Sequence, residues 1–305
     1  MSTLGESLDE YLTVRRALGF KLVQIERLLR GFVNHLDHLD EERITIKTAV
    51  EWAILPGGSD SLHYSRLAAI RGFATYLHGV DSAVEIPDVS LLPNGPARRR
   101  PFHYTDEEIL ALIEAADTLR TAHRAATYQT LIGLLACAGM RIGEAIGLDG
   151  QHFDPGLGVL VVRGKLEKVR ELPLAPSATA ALSAYLARRD RPSSPVGERA
   201  LFVSTPGTRL ELHDVEKTFR LLRDRAGVRP RAGCRPTLHG LRHTFAIRTM
   251  LDAYQTGVDA GARLGILCTY LGHVEPAHTY WYLHAAPELM SVAADRLERH
   301  EQQAR

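Results

Sequence analysis

The sequence predicts a mainly α-helical chain in two parts: an all-helical N-terminal bundle and a larger mixed α/β domain with a small antiparallel sheet. Three observations predict it. Apolar residues recur at helical spacing through residues 1–92. A stretch rich in Pro and Gly and then in arginine, residues 91–101, interrupts that pattern. After Asp154-Pro155-Gly156 the period shortens to that of a strand for two short runs before helical spacing resumes.

Taken in order, Ser7-Leu8-Asp9-Glu10 fits a capping box for a first helix that stops near Gly19. Leu22, Ile25, Leu28, Leu29, Phe32 and Leu36 then mark one face of a second helix. A third is expected from Ile44 to Ile54, ahead of the Pro56-Gly57-Gly58 breaker, and a fourth carries Leu67, Ile70, Phe73 and Leu77 on one side. Residues 93–103 read as a basic linker. Thr105-Asp106-Glu107-Glu108 is a second capping box, followed by Ile109, Leu110, Leu112 and Ile113. A long apolar helix is expected from about Ala126 to Cys137, breaking at Gly139. Val159 to Val162 and Val169 to Leu174 flank the turn Arg163-Gly164-Lys165-Leu166-Glu167-Lys168, which predicts a β-hairpin. Helices are expected at about 176–190 and 213–227, with a strand-like Leu201 to Ser204 between them. Further helices fill the remainder, ending in a charged one at about 287–303.

The chain has 305 residues, 45% of them hydrophobic and 24% charged, which is enough for two domains with separate cores. No run of eighteen apolar residues occurs, and Met1 to Ser7 lacks a signal-peptide pattern, so no membrane is expected as a partner and a cytoplasmic location is expected. Three scattered cysteines (Cys137, Cys234, Cys268) show neither metal nor disulfide spacing. The net charge of +1 is unevenly divided. Residues 1–97 hold 9 Lys+Arg against 13 Asp+Glu (−4), and residues 98–305 hold 28 against 23 (+5). Arginine is dense at Arg98, Arg99 and Arg100, and again at Arg220, Arg223, Arg225, Arg229, Arg231 and Arg235, where contact with phosphate is expected.

The chemistry centres on Pro236-Thr237-Leu238-His239-Gly240-Leu241-Arg242-His243-Thr244-Phe245, which reads as the start of a helix. Residues three apart share a helical face, so His239 and Arg242 are expected to converge on one small anion. Thirty residues on comes Leu271-Gly272-His273, and nine beyond that histidine is Tyr282. About a hundred residues upstream, Arg141 stands in Ala-Gly-Met-Arg-Ile-Gly-Glu. Two arginines, two histidines and a tyrosine make a phosphate clamp with a nucleophile beside it. On these residues the chain resembles the tyrosine recombinase (phage integrase) family.

The resemblance implies a helical, SAM-like core-binding domain over residues 1–92, a basic linker and a catalytic domain over residues 104–305. It implies a site-specific recombinase or integrase, C-shaped around double-stranded DNA. Four protomers would act together on two recombination sites, exchanging C-terminal segments (residues 286–305). Arg141 and Arg242 would stabilise charge on the non-bridging phosphate oxygens, because guanidinium presents a planar fork and stays charged. Tyr282 would attack phosphorus and form a 3′-phosphotyrosyl bond, with His239 as base and His273 as hydrogen-bond donor. The leaving 5′ oxygen would take its proton from a lysine of the hairpin turn, either Lys165 or Lys168. Leu166 departs from the family's usual second glycine there. Glu144 would support Arg141. Arg66 and Arg71, with Arg98, Arg99 and Arg100, are further candidates for DNA contact.

Tyr270 and Tyr280 compete with Tyr282, and the family's distance from the Gly-His histidine selects Tyr282. Tyr280 and Tyr282 point about 200° apart on a helix and cannot both face the clamp. His239 and His243 have the i,i+4 spacing of zinc ligands, but Arg242 between them would repel a cation and the metalloprotease Glu is missing. No metal or other cofactor is expected. The segment 252–264 looks longer than the family's usual connection. Tyr280-Trp281-Tyr282-Leu283 followed by Ala-Ala-Pro-Glu-Leu looks most like recombinases of bacterial transposable elements. The alternatives are a type IB topoisomerase, a non-catalytic DNA-binding accessory protein and a metal-dependent nuclease.

Overall fold

The computed structural model of the chain describes residues 3–92, 101–164, 168–193, 195, 199–231 and 233–272. It divides into two compact units, Met1–Arg99 and Arg100–Arg305. As expected, the chain is mainly α-helical with one small antiparallel sheet.

The first unit contains α1 (Leu4–Ala17), α2 (Val23–His38), α3 (Ile46–Ala53) and α4 (Asp60–His78). Helix α1 begins earlier than Ser7 suggested. The same box pattern occurs at Thr3-Leu4-Gly5-Glu6, where Glu6 N donates to Thr3 Oγ1 and Thr3 N donates to Glu6 Oε2, leaving Ser7 inside the helix. The predicted stripes of α2 and α4 are buried at Leu28, Leu29, Phe32, Leu36, Leu67, Ile70, Phe73 and Leu77. Arg66 and Arg71 both serve this unit's own backbone. Arg66 Nη1 donates to the carbonyls of Ala53 and Leu55 at the end of α3, with its guanidinium 5.3 Å from the Trp52 ring. Arg71 Nη1 donates to Pro87 O. The first completes the orphan carbonyls of a helix C-terminus, where a cation is favoured.

In the second unit, Phe102 and Tyr104 are already core residues. The predicted capping box opens α5 (Asp106–Ala115), with Thr105 and Glu108 bonded reciprocally. Helix α6 (Ala122–Ala138) starts at a Thr121 cap, ahead of the expected Ala126. It is buried on nearly every side, so no polar face marked its beginning. Gly139 ends it with φ 58°, and a Cβ there would stand 2.4 Å from Phe245 Cδ1. Only glycine meets both demands. The turn leads into α7 (Ile142–Ile146).

The hairpin forms as β2 (Val159–Arg163) and β3 (Val169–Pro173), paired Leu160 to Leu172 and Val162 to Arg170. A two-residue strand β1 (Phe153–Asp154), too short to leave a period in the sequence, extends the sheet to the order β1-β2-β3. Helices α8 (Pro176–Leu186) and α9 (Leu212–Arg225) follow. The expected strand at Leu201 to Ser204 is instead a buried crossing segment with isolated bridges, Asp149 to Ala200 and Val203 to Arg209. Its apolar run reflects burial of Leu201, Phe202 and Val203 rather than a ladder. Last come α10 (Leu238–Thr256) and α11 (Ala260–Leu271).

The segment 252–264 needs no special role. It comprises the last turn of α10, the left-handed Gly257, and the first turn of α11, capped by Asp259 Oδ1. In the arginine-rich run before α10, Arg223, Arg225 and Arg231 have partners within the unit. Arg225 Nη1 donates to Thr118 O, Arg223 pairs with Asp224, and Arg231 pairs with Glu108 while lying 4.6 Å over the Phe102 ring. The bonds of Arg225 and Arg231 fasten α9 and the following loop to the first part of the unit. No helix among the described residues is long and apolar enough to cross a membrane.

Candidate active site

The start of α10 is held in one rotation by Tyr104. Its hydroxyl donates to Thr237 O and its backbone N–H donates to Thr244 Oγ1, both at 2.9 Å. Gly240 permits this approach, because a Cβ there would lie 2.8 Å from Tyr104 Cε2 and 3.1 Å from Phe102 O. Thr237 caps the helix through Gly240 N. The rotation sends Arg242 inward and leaves His239 at the surface.

Arg242 is 1% exposed. Its Nη1 donates to Gly139 O and its Nη2 to Leu271 O, each at 2.8 Å. Those carbonyls end α6 and α11, so one cation answers two helix C-termini at once. One acceptor lies two residues before Arg141 and the other two residues before His273. The expected shared face of His239 and Arg242 is therefore split: one side chain reaches solvent and the other binds the elements together.

Arg141 stands at the N-cap of α7 with its side chain 32% exposed. Its backbone N donates to Glu144 Oε2 and its Nη1 to Glu144 Oε1 at 2.8 Å. From the other side, Arg170 Nη2 donates to Glu144 Oε2 at 2.8 Å and Nη1 to Oε1 at 3.3 Å. Burial pushes the Glu144 carboxyl upward, but the hydrogen bonds from Arg170 and the Arg141 backbone, with the two positive charges, outweigh it. The pKa is held below the usual range. Glu144 is thus a fixed carboxylate bonded to Arg141 on one side and to Arg170 on the other.

Sequence reasoning missed Arg170. The available signal was its register: Arg170 lies two residues from the buried Leu172, so both share the inward face of β3.

His239 and His243 meet edge to face with ring centroids 4.4 Å apart. Although His239 reaches the surface, protein packed behind it holds its pKa below the ordinary 6.5, with Arg242 and then Arg141 adding to the effect. Both arginines are thus near enough to be felt at the imidazole. The neutral ring is favoured and can accept a proton. A reaction that uses it as base is lost as pH falls through this lowered value. If His239 is the base in the DNA cleavage that the resemblance implies, the second-order rate, which reports the free protein, is expected to have an acid limb centred below pH 6.5. An acid limb centred at or above 6.5 would remove His239 from the role of base.

The hairpin turn is closed by Gly164 N donating to Lys168 O at 2.7 Å, and Lys168 is exposed. Lys165 lies outside the described residues, as do His273, Tyr280, Tyr282, Arg98, Arg99, Arg100 and the C-terminal segment 286–305. The described chain stops at Gly272, whose φ of 66° ends α11. The competing Tyr270 is a packing residue. Its ring stacks on Phe245 at 5.6 Å, its hydroxyl donates to Pro173 O, and burial pushes its pKa up to about 12, away from a nucleophile.

A family model described as the phage integrase family matches residues 103–288. The chain is 40% identical over 308 residues to "Putative integrase/recombinase y4rB" of Sinorhizobium fredii, covering 98% of each. It is 29% identical to the tyrosine recombinase XerD of Mycobacterium tuberculosis, covering 97% of this chain and 99% of the relative. In fold it is similar to the Tn1549 transposon integrase solved in complex with transposon right end DNA. The TM-score is 0.69 at 16% identity, over 96% of this chain and 98% of that one.

Proposed function

The chain belongs to the phage integrase family, the tyrosine recombinases, and as a DNA strand transferase we propose that it cuts and rejoins DNA at specific sites through a 3′-phosphotyrosyl intermediate. Tyr282 Oη attacks the scissile phosphorus and its proton passes to His239. The bond from phosphorus to the 5′ oxygen breaks, and that oxygen takes a proton from Lys165, or from Lys168 as the alternative on the same turn. Attack by a 5′ hydroxyl from another strand reverses each transfer and regenerates the tyrosine. Because the ester conserves the bond energy, rejoining requires no ATP. Arg141 and Arg242, with a hydrogen bond from His273, supply the positive field that the phosphoryl transition state demands. The reaction so written draws on no metal ion.

The observation that carries this reading is the Arg242 fork. By bonding Gly139 O and Leu271 O it brings the chain leading to Arg141 and the chain leading to His273 to the helix that bears His239. Segments more than a hundred positions apart, ending at Gly139, Leu271 and Arg242, thereby meet. The partner is double-stranded DNA, engaged by four protomers linked through segment 286–305 in a transposition or integration reaction.

The test is covalent trapping. Labelled nicked duplexes drawn from DNA flanking the gene are incubated with the protein in EDTA and run on denaturing gels. A shifted, protease-sensitive band is expected. Tight binding with no adduct on any such duplex would return the reading to an accessory DNA-binding protein. An adduct that EDTA abolishes would make it a metal-dependent reaction.

A further inference from the structure

We infer that Arg170 is a positioning residue for strand cleavage, a role that rests on the recombinase reading above. Its guanidinium sets the direction of Arg141 through Glu144 and holds β3 against the end of α11.

Three N–H groups of one planar fork act on two different elements. The Nη pair grips Glu144 of α7 at 2.8 and 3.3 Å, and Nε donates to Tyr270 O in the last turn of α11 at 2.9 Å. Glu144 passes the constraint on, since the same two oxygens accept from the Arg141 backbone and guanidinium. The Arg170 side chain is 13% exposed and that of Glu144 7%, so these charged bonds are largely shielded from water.

Gly272 gives the fork its clearance, and Gly164 lies beside it. A Cβ on Gly272 would stand 2.9 Å from Arg170 Nη1, and one on Gly164 would stand 3.5 Å from the same atom. Gly164 directly precedes Lys165, and Gly272 directly precedes His273. A single guanidinium therefore lies against the residues that lead into the proposed acid and the proposed phosphate donor, while bonding the carboxylate that aims Arg141. Arg242 also bonds the ends of α6 and α11, so two forks, one buried and one largely shielded, brace the site.

Lysine cannot replace this fork, because an ammonium is a point charge and does not present parallel N–H groups to a carboxylate and a third to a carbonyl. The positive charge survives in Arg170→Lys while the geometry is lost. The inference thus predicts a defect in the chemical step with DNA affinity preserved. A misplacement of about 1 Å at such a site costs on the order of 100-fold in rate.

The experiment measures single-turnover adduct formation at saturating protein, and affinity by gel shift, on a flanking nicked duplex that the wild-type protein cleaves. Arg170→Lys, Glu144→Gln and the double variant are compared. Arg170→Lys is expected to cleave about 100-fold more slowly with Kd within about threefold of wild type. If Arg170 acts through Glu144, the double variant should be no slower than the worse single variant. Losses that multiply, or a fall in affinity matching the fall in rate, overturn the inference. So does wild-type cleavage by Arg170→Lys. If Arg170→Lys fails to fold, Glu144→Gln weakens the same fork and must show the same split. If neither folds, the fork belongs to the fold and the inference fails. Absence of any wild-type adduct would instead sink the recombinase reading itself.

Discussion

Tyr282→Phe is expected to abolish the covalent DNA adduct, while Tyr280→Phe retains it. Only one oxygen atom is removed, and it is the atom that would bond to phosphorus. Loss of a nucleophile costs about 10⁴-fold or more, which on a denaturing gel is disappearance of the band. DNA affinity should hardly change, because the phenol ring remains. Phosphate contacts by guanidiniums and backbone carry most of such binding. Tyr270 offers no substitute: its hydroxyl is engaged by Pro173 O and its pKa is pushed up to about 12. An adduct lost in Tyr280→Phe and kept in Tyr282→Phe would mean that the spacing from His273 is misread by two residues. An adduct that survives both changes would place the nucleophile elsewhere.

Arg242→Met and Arg141→Met should separate folding from chemistry. Methionine at 242 leaves the carbonyls of Gly139 and Leu271 buried without the donors they have in the native protein. Each hydrogen bond to a charged group contributes about 1.5–3 kcal/mol, so the loss should be roughly 3–6 kcal/mol. At about 2–4 °C per kcal/mol for a unit of this size, Tm should fall by roughly 6–24 °C. Arg141 differs, being one-third exposed and sharing Glu144 with Arg170. Its replacement should cost under about 1 kcal/mol. Cleavage should nevertheless fall about 10³-fold, the scale of removing one donor aimed at developing charge. Thermal melts and single-turnover cleavage on the same preparations check both. A wild-type Tm for Arg242→Met would contradict the bridging role, and cleavage by Arg141→Met within tenfold of wild type would remove Arg141 from the phosphate.

Much of the fold was legible because the signals are local. The stripe of α2, the Thr105–Glu108 box and the β-branched run of β2 each lie within a few residues, where local backbone geometry dictates which side chains meet. Misreadings arose where two local signals competed or one was lacking. Thr3 and Ser7 offer equivalent boxes four residues apart, and packing of Leu8, Tyr11 and Leu12 accompanies the earlier start. The start of α6 buries even its polar His123 and Thr127, so no polar face marks it, and Leu201 to Val203 is apolar because it is covered, whatever its backbone conformation.

The kinds of residue in the site, and the family they indicate, were determined by the sequence alone. Arginine, histidine and tyrosine at these spacings have few other uses together. What each arginine does was decided only in three dimensions. Arg66, Arg225 and Arg231 are indistinguishable as letters from phosphate ligands, yet each donates to a backbone carbonyl of its own unit. Arg242 finds Gly139 across 103 positions, and Arg170 finds Tyr270 across 100. Such partners are set by how helices and sheet pack over long loops of chain, a choice no short window of sequence contains. A guanidinium has five donors and no intrinsic preference between a carbonyl, a carboxylate and a phosphate. Burial and direction make that choice, and both belong to the tertiary structure.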